Sequence, residues 1–385
     1  MKWLPVKSGF VFYFSVCACL LQAPGTIAAG VDYSMTMKNV ASSTLLDIAR
    51  AGQRLVAVGE RGHILYSEDG GKQWVQAQVP TTAMLTRVFF IDEQTGWAVG
   101  HDGNVLTTSD GGVSWMLQRD GVAEQAGINE QRAGRALREV ESLRSQLAAA
   151  SDDQRSQLEE ALAEAEWAVE NAHEVMEQAV YAPPLMDVWF SSPEQGWAAG
   201  AYGVLLYTGN GGRNWADWSH KVDNPEELHL NGVVGDKRGK LYLASEWGAI
   251  FVSANGGESW EPVESGYDGS FFGLALSPKS GSVFAHGLLG TVYRSNDQGG
   301  TWEAQQSGVT ASLFGAEASG DTLIFVGQGG TATVTRDDGR TFTPLIQSQR
   351  DGLFGVVSLG DGTFIATGEG GSRIIADSSR GQSLD

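Results

Sequence analysis

Cysteine is nearly absent from this chain: two in 385 residues, Cys17 and Cys19, both inside the first thirty. Everything after residue 29 therefore lacks disulfides, thiol nucleophiles and Cys-ligated metals. Basic residues are also few, with 26 Lys and Arg against 46 Asp and Glu and a formal charge of −20. Such a field repels nucleic acid and anionic lipid and suits a cationic partner or patch. No apolar run reaches the roughly 20 residues that a membrane span needs. The six histidines, His63, His101, His173, His220, His229 and His286, show no metal-ligand spacing. No phosphate-binding glycine loop is present. The sequence thus predicts no metal, no cofactor and no catalytic centre.

What little apolar run there is stands at the start. Lys2 and Lys7 precede an apolar stretch from Gly9 to Leu21, and Thr26-Ile27-Ala28-Ala29 offers small-residue cleavage sites. This predicts a signal peptide over 1–29 and a periplasmic or secreted mature protein. Val16-Cys17-Ala18-Cys19 loosely resembles a lipoprotein box, with Cys19 as the alternative, acylated start.

Glycine is abundant, 51 residues, and it recurs at fixed places. The pattern Ser/Thr-x-Asp-x-Gly-x-x-Trp appears as Ser67-x-Asp69-x-Gly71-x-x-Trp74 and Thr108-x-Asp110-x-Gly112-x-x-Trp115. Asparagine replaces aspartate at Asn210 and Asn255, before Trp215 and Trp260; Asp297 and Asp337 precede Trp302 and Phe342. The closing aromatics stand 41, 100, 45, 42 and 40 residues apart. Upstream of the boxes lie apolar segments such as Gly96-Trp97-Ala98-Val99-Gly100 and Gly196-Trp197-Ala198-Ala199-Gly200. Each unit reads as four short strands separated by glycine turns, which is the period of a propeller blade.

Seven blades are expected, starting near Leu45, Leu85, Leu185, Leu228, Phe271, Leu313 and Leu353. The seventh has no Asp box, and a polar tail follows over 377–385. Val31 to Met37 alternates like a strand and has no partner in blade one, so it is expected to complete blade seven and close the ring, hiding sheet edges. The fold class is all-β: closing strand and blades one and two over 30–120, blades three to seven over 181–376.

Gly121 to Val180 breaks the repeat. Leu137, Val140, Leu143 and Leu147, then Leu158, Leu162, Ala165, Val169, Ala172 and Val175, recur at helical spacing. Ser151 with Gln154 gives a capping-box start for a second helix. The expectation is an antiparallel coiled-coil hairpin over 121–180. Its second arm carries nine acids against Arg155.

The boxes themselves read as frame. Their Asp or Asn (69, 110, 210, 255, 297, 337) can accept backbone N–H groups and hold a tight turn between third and fourth strands. The loop between second and third strands shares a face with the hairpin, because both join strands at the same end of a blade. Candidate partner-binding residues there are Arg61, His101, Asp102, Tyr202, Glu246, Trp247, Gln328 and Glu369. Tyr202 and Trp247 are of the types that anchor interfaces.

With these motifs, residues 40–120 and 181–376 resemble the photosystem II assembly and stability factor propellers of cyanobacteria and chloroplasts. The resemblance implies a noncatalytic, seven-bladed factor, of photosynthesis by family, that handles membrane-protein subunits. Two features depart from it: the turns offer only Arg61 where those members show an arginine-rich patch, and the hairpin is foreign to them. Similar bacterial proteins accompany exporters of the resistance-nodulation-division type, which implies a membrane-protein complex of the envelope as partner. The alternative reading is a glycan-binding or sialidase-like propeller, although no Arg-Ile-Pro element precedes the first box.

Overall fold

The computed structural model describes residues 32–360 and 362–376. The signal peptide, Cys17, Cys19, Val31 and the tail over 377–385 lie outside the described residues.

Seven antiparallel sheets follow one another along the chain, each built from consecutive strands in simple up-and-down order. Six have four strands, and the last has three among the described residues. Inner strands run Leu45–Ala51, Leu85–Phe90, Leu185–Phe190, Leu230–Gly235, Phe271–Leu276, Leu313–Ser319 and Leu353–Ser358. The inner strand of blade four begins at Leu230, two residues past Leu228. The Asn224 side chain bonds both the carbonyl and the N–H of Leu228, holding that residue in a turn.

Second strands such as Gly96–Gly100 and Leu241–Ser245 are buried at every residue. That is why they read as unbroken apolar runs: each is covered on both faces by neighbouring blades. The core is accordingly a series of inter-blade seams. Val56, Val58 and Ile64 of blade one meet Leu85, Val88 and Ala98 of blade two. Trp97 of blade two stacks on Phe190 of blade three, with ring centroids 3.5 Å apart.

Ring closure differs from the sequence expectation. The stretch over 32–37 forms no strand and does not pair with blade seven. It lies along the outer edge of blade one, where Ser34 N–H donates to Val79 O at 2.9 Å and Gln76 Nε2 donates to Met35 O at 2.9 Å. Its alternation misled because Tyr33, Met35 and Met37 point outward and are exposed. Blades one and seven close the ring by packing: Val40, Leu45, Leu55 and Leu65 meet Val357 and Ile365. Trp74 Nε1 adds a bond to Ser372 Oγ at 2.9 Å.

Between blades two and three stand two helices, α1 (Gly121–Ala149) and α2 (Asp152–Glu177). At about 1.5 Å per residue each is roughly 40 Å long. Asp120 caps α1 by accepting the Ala123 N–H at 2.9 Å, and Ser151 and Gln154 form the capping box of α2. The seam between them is Val140, Leu143 and Ala165, with Leu158, Leu162 and Val169 beside it. Leu137 and Val175, expected in the seam, are exposed instead. Arg144 and Glu166 join the arms at 2.6 Å.

Candidate functional site: the hairpin face and the central channel

The second strand of six blades ends on glycine; in blades one to six a three-residue turn then leads toward the third strand, and in blade seven the two residues Glu369 and Gly370 do so. Blade four has Ser245 at that place. The middle residue of the turn sits in the left-handed region in six blades: Arg61 (φ 56°), Asp102 (60°), Tyr202 (57°), Trp247 (53°), Leu289 (55°) and Gly329 (64°). A bulky L-residue held there costs of order 1 kcal/mol. The following glycine is required by space, since a Cβ on Gly62 would stand 2.1 Å from Thr81 O. The strain is not offset by burial: Tyr202, Trp247 and Leu289 are 54%, 67% and 77% exposed. They sit in three consecutive blades, so the rim presents an apolar patch on strained turns. The φ belongs to the turn that six blades share; what sets blades three to five apart is that this turn displays a large apolar side chain to solvent.

The hairpin rises from the same rim. A Cβ on Gly121, the first residue of α1, would lie 2.5 Å from Asp102 O, so the helix starts against the blade-two turn. Arg119 bonds Gly103 O and pairs with Glu124 at 2.6 Å, tying that turn to the first turn of α1. On the return, the Tyr181 ring meets Tyr202 edge-on at 6.4 Å, and Tyr202 lies 4.9 Å from the His229 ring. Glu246 Oε2 stands 3.0 Å from His229 Nδ1. A continuous row thus runs from the hairpin root across blades three and four.

Of the eight candidate residues, Arg61, His101, Asp102, Tyr202, Trp247, Gln328 and Glu369 are exposed on this rim and Glu246 is half-buried. Two carboxylates already have a task. Glu246 accepts the His229 N–H at 3.0 Å, and Glu369 accepts the Gly352 N–H at 3.0 Å. Glu60 does the same for Thr44 at 3.2 Å. Each fixes the link entering the inner strand of its own blade.

The Asp boxes lie at the opposite end of the blades, in the turns between third and fourth strands. In the first, Asp69 Oδ1 accepts the N–H groups of Lys72 and Gln73 and the Ser67 hydroxyl. The Gln73 N–H foremost holds the Asp69 carboxyl below its ordinary range. The Thr301 N–H likewise brings Asp297 down to about 2. Asn210 and Asn255 accept the corresponding N–H groups of Asn214 and Ser259, so the turn needs the oxygen and not the charge.

The sequence reading missed a charged cluster in the channel. Inner-strand residues Asp47, Arg87 and Asp187 occupy the same register position as Gly232, Gly273, Gly315 and Gly355, each beside a bulge. The ring is narrow here: a Cβ on Gly232 would stand 3.0 Å from Gly273 Cα, and one on Gly355 2.8 Å from Asp47 Cα. Four blades therefore carry no side chain, and three fill the space with charge. The signal was a charge standing where other repeats have glycine.

Arg87 joins the cluster through Nε to Asp187 at 2.8 Å and Nη1 to Asp47 at 3.5 Å. Asp47 also accepts the Val88 N–H, and Asp187 the Val233 N–H, both at 2.9 Å. These carboxylates stitch blade one to two and three to four. Burial pushes Asp47 up to about 6 against the pull of Arg87. Burial also opposes the charge on Arg87, yet Asp187 and Asp47 outweigh it and hold the guanidinium firmly protonated. Burial pushes Glu317 up to about 7, with Asp47 adding to it. It pushes His286 down to about 4.

Fold and frame together define a seven-bladed Asp-box propeller with one decorated rim. A family model described as photosynthesis system II assembly factor YCF48 matches residues 28–106, 72–132 and 165–376, and the chain belongs to that family. A curated relative, the photosystem II assembly lipoprotein Ycf48 of Synechococcus sp. (strain CC9902), is 35% identical over 68 residues; the match spans 18% of this chain and 20% of that protein. A solved structure of YCF48 bound to a D1 peptide has TM-score 0.59 at 14% identity, covering 87% of this chain and 93% of that one. YCF48 from Cyanidioschyzon merolae gives 0.57 at 14%, over 90% and 98%. The WD40 propeller domain of Doa1 gives 0.58 at 9% identity, over 92% and 98%, so at this level likeness to solved structures speaks for the fold. Among the described residues, no helix is long and apolar enough to cross a membrane.

Proposed function

We propose that this chain is an exported, noncatalytic assembly or accessory factor that grips a membrane-protein partner across the hairpin rim. One observation carries the reading: Tyr202, Trp247 and Leu289 are held exposed in left-handed turns of adjacent blades, beside the root of a 40 Å arm. The left-handed turn recurs in six blades, but large exposed apolar side chains on it in three adjacent ones give the fold little burial and suit a partner. Membership of an assembly-factor family agrees, and one solved relative is bound to a peptide of D1. Export follows from the apolar amino-terminal stretch.

The partner we propose is a subunit of an envelope complex, with a resistance-nodulation-division exporter as the first to test. The rim supports a partner other than an arginine-patch ligand: its exposed turn residues include one arginine, Arg61, beside three large apolar side chains. The hairpin adds reach. Removing 121–180 and joining the ends with a short glycine-serine link should leave a propeller with unchanged β circular dichroism. It should also abolish co-purification of membrane proteins from solubilised native membranes. Retention of the same partners by the deleted form would refute a role for the hairpin.

A further inference from the structure

The channel holds a cavity of about 310 Å³, bounded by the inner strands of blades two to six. It lies toward the ends of those strands, in the half of the channel away from the hairpin rim, so it is separate from the face discussed above. Its size is at the lower end of small-molecule sites, about 300–1,000 Å³. Val88, Phe89, Leu274 and Leu276 supply apolar wall, and Arg87, Asp187 and Glu317 supply charge.

The charges are unequally satisfied. Arg87 is engaged by Asp47 and Asp187, and both aspartates also take backbone N–H groups. Arg50 of blade one donates to Ser358 O and Gly52 O. Glu317 is different. No cation of the described residues comes within ion-pair distance of its carboxylate; its close polar neighbour is the adjacent Ala318 N–H, and Arg50 and Arg87 act only from farther off. A carboxylate without a close counter-ion therefore lies at a cavity of mixed polar and apolar walls, the exposed apolar part coming from Phe89 and Leu276.

We propose that this cavity binds an organic cation, an alkylammonium or guanidinium group whose charge pairs with Glu317 and whose stem lies on the apolar wall. A divalent metal would demand about six oxygen ligands and fits poorly with one free carboxylate. An anion would meet Asp187 and Glu317 where Arg87 is already spoken for. The cation is either a free amine or the Lys or Arg side chain of a partner. Binding selects the ionised carboxylate, so it releases a proton and strengthens as pH rises through neutrality. The charged groups acting on Glu317 are Asp47 and Arg50 from blade one and Arg87 from blade two, and Asp187 of blade three lines the same cavity. His286 of blade five is buried and uncharged at these pH values.

The test is titration of the full chain with n-butylammonium chloride, followed by calorimetry at constant ionic strength with sodium chloride as the blank. A blocked Gly-Gly-Lys-Gly-Gly peptide is titrated alongside. Saturable binding is expected, tighter at pH 8 than at pH 6, and about tenfold weaker in Glu317→Gln, the worth of one charge-assisted contact. Binding of the amine alone assigns a free amine; binding of the peptide as well assigns a partner's basic side chain. Saturable binding of neither probe overturns the proposal. So does binding that Glu317→Gln leaves unchanged while the variant melts as a folded protein.

Discussion

The Tyr181 ring meets the Tyr202 ring edge-on at 6.4 Å, joining the segment that returns from the hairpin to a strained turn of blade three. Tyr202 has φ 57° and is 54% exposed, so its position is fixed by the turn and little by its own burial. Stability and binding should therefore separate at this rim.

Trp247→Gly tests that separation most sharply. Glycine relieves the left-handed strain, worth about 1 kcal/mol, and the indole buries little. Scanning calorimetry should show Tm unchanged or higher by about 1–2 °C, while partner capture falls. A Tm lowered by several degrees would show that the indole serves the fold.

Arg87 should behave in the opposite way. Arg87→Met leaves Asp47 and Asp187 buried, 7% exposed each, without their counter-ion. Removing one partner of a buried pair costs about 3–5 kcal/mol. Urea denaturation should show a loss of roughly 3 kcal/mol, with no effect specific to partner capture.

The Asp boxes predict a tolerant exchange. Asp297 Oδ1 accepts the Thr301 N–H at 2.9 Å, as Asn255 accepts that of Ser259 at 3.1 Å. Asp297→Asn should cost less than about 0.5 kcal/mol, and Asp297→Ala about 1–2 kcal/mol, because the amide loses its acceptor. Thermal melts at pH 7 distinguish the two.

Glu317 sets a pH dependence of defined sign. Its carboxyl in the folded chain is raised to about 7, above its value in the unfolded chain near 4.5. Its favourable contribution is therefore complete below about 4.5 and is lost as pH rises through 7. Glu317→Gln copies the protonated form. The variant should match the wild type at pH 4.5 and gain on it steadily to pH 8. His286 works the other way, since its neutral folded form is penalised as pH falls from about 6.5 toward 4. The comparison between variant and parent cancels that contribution.

The propeller was legible because its signals are local. Asp boxes, buried second strands and glycine turns each repeat within one blade. The hairpin was legible for the same reason, through helical spacing and the Ser151 capping box. Closure was not, because alternation over 31–37 indicates an extended chain without saying which edge it follows. The Gln76 side chain, distant in sequence, decides that. Asp47, Arg87 and Asp187 escaped notice because their meaning is relational. Each is an unremarkable charge in an apolar strand until the seven strands are aligned and glycine appears at the same place in the other four. The strain at Tyr202 and Trp247 was equally hidden, since neither residue type announces a left-handed turn.

A photo-cross-linking residue at Trp247, compared with one at Ala254 near the Asp-box turn of the same blade, tests the central claim most directly. In native membranes, mass spectrometry should find Trp247-site cross-links concentrated in one membrane protein's segment, with Ala254 giving background. Equal cross-linking from both faces, or capture from Ala254 alone, would contradict a binding rim on the hairpin side.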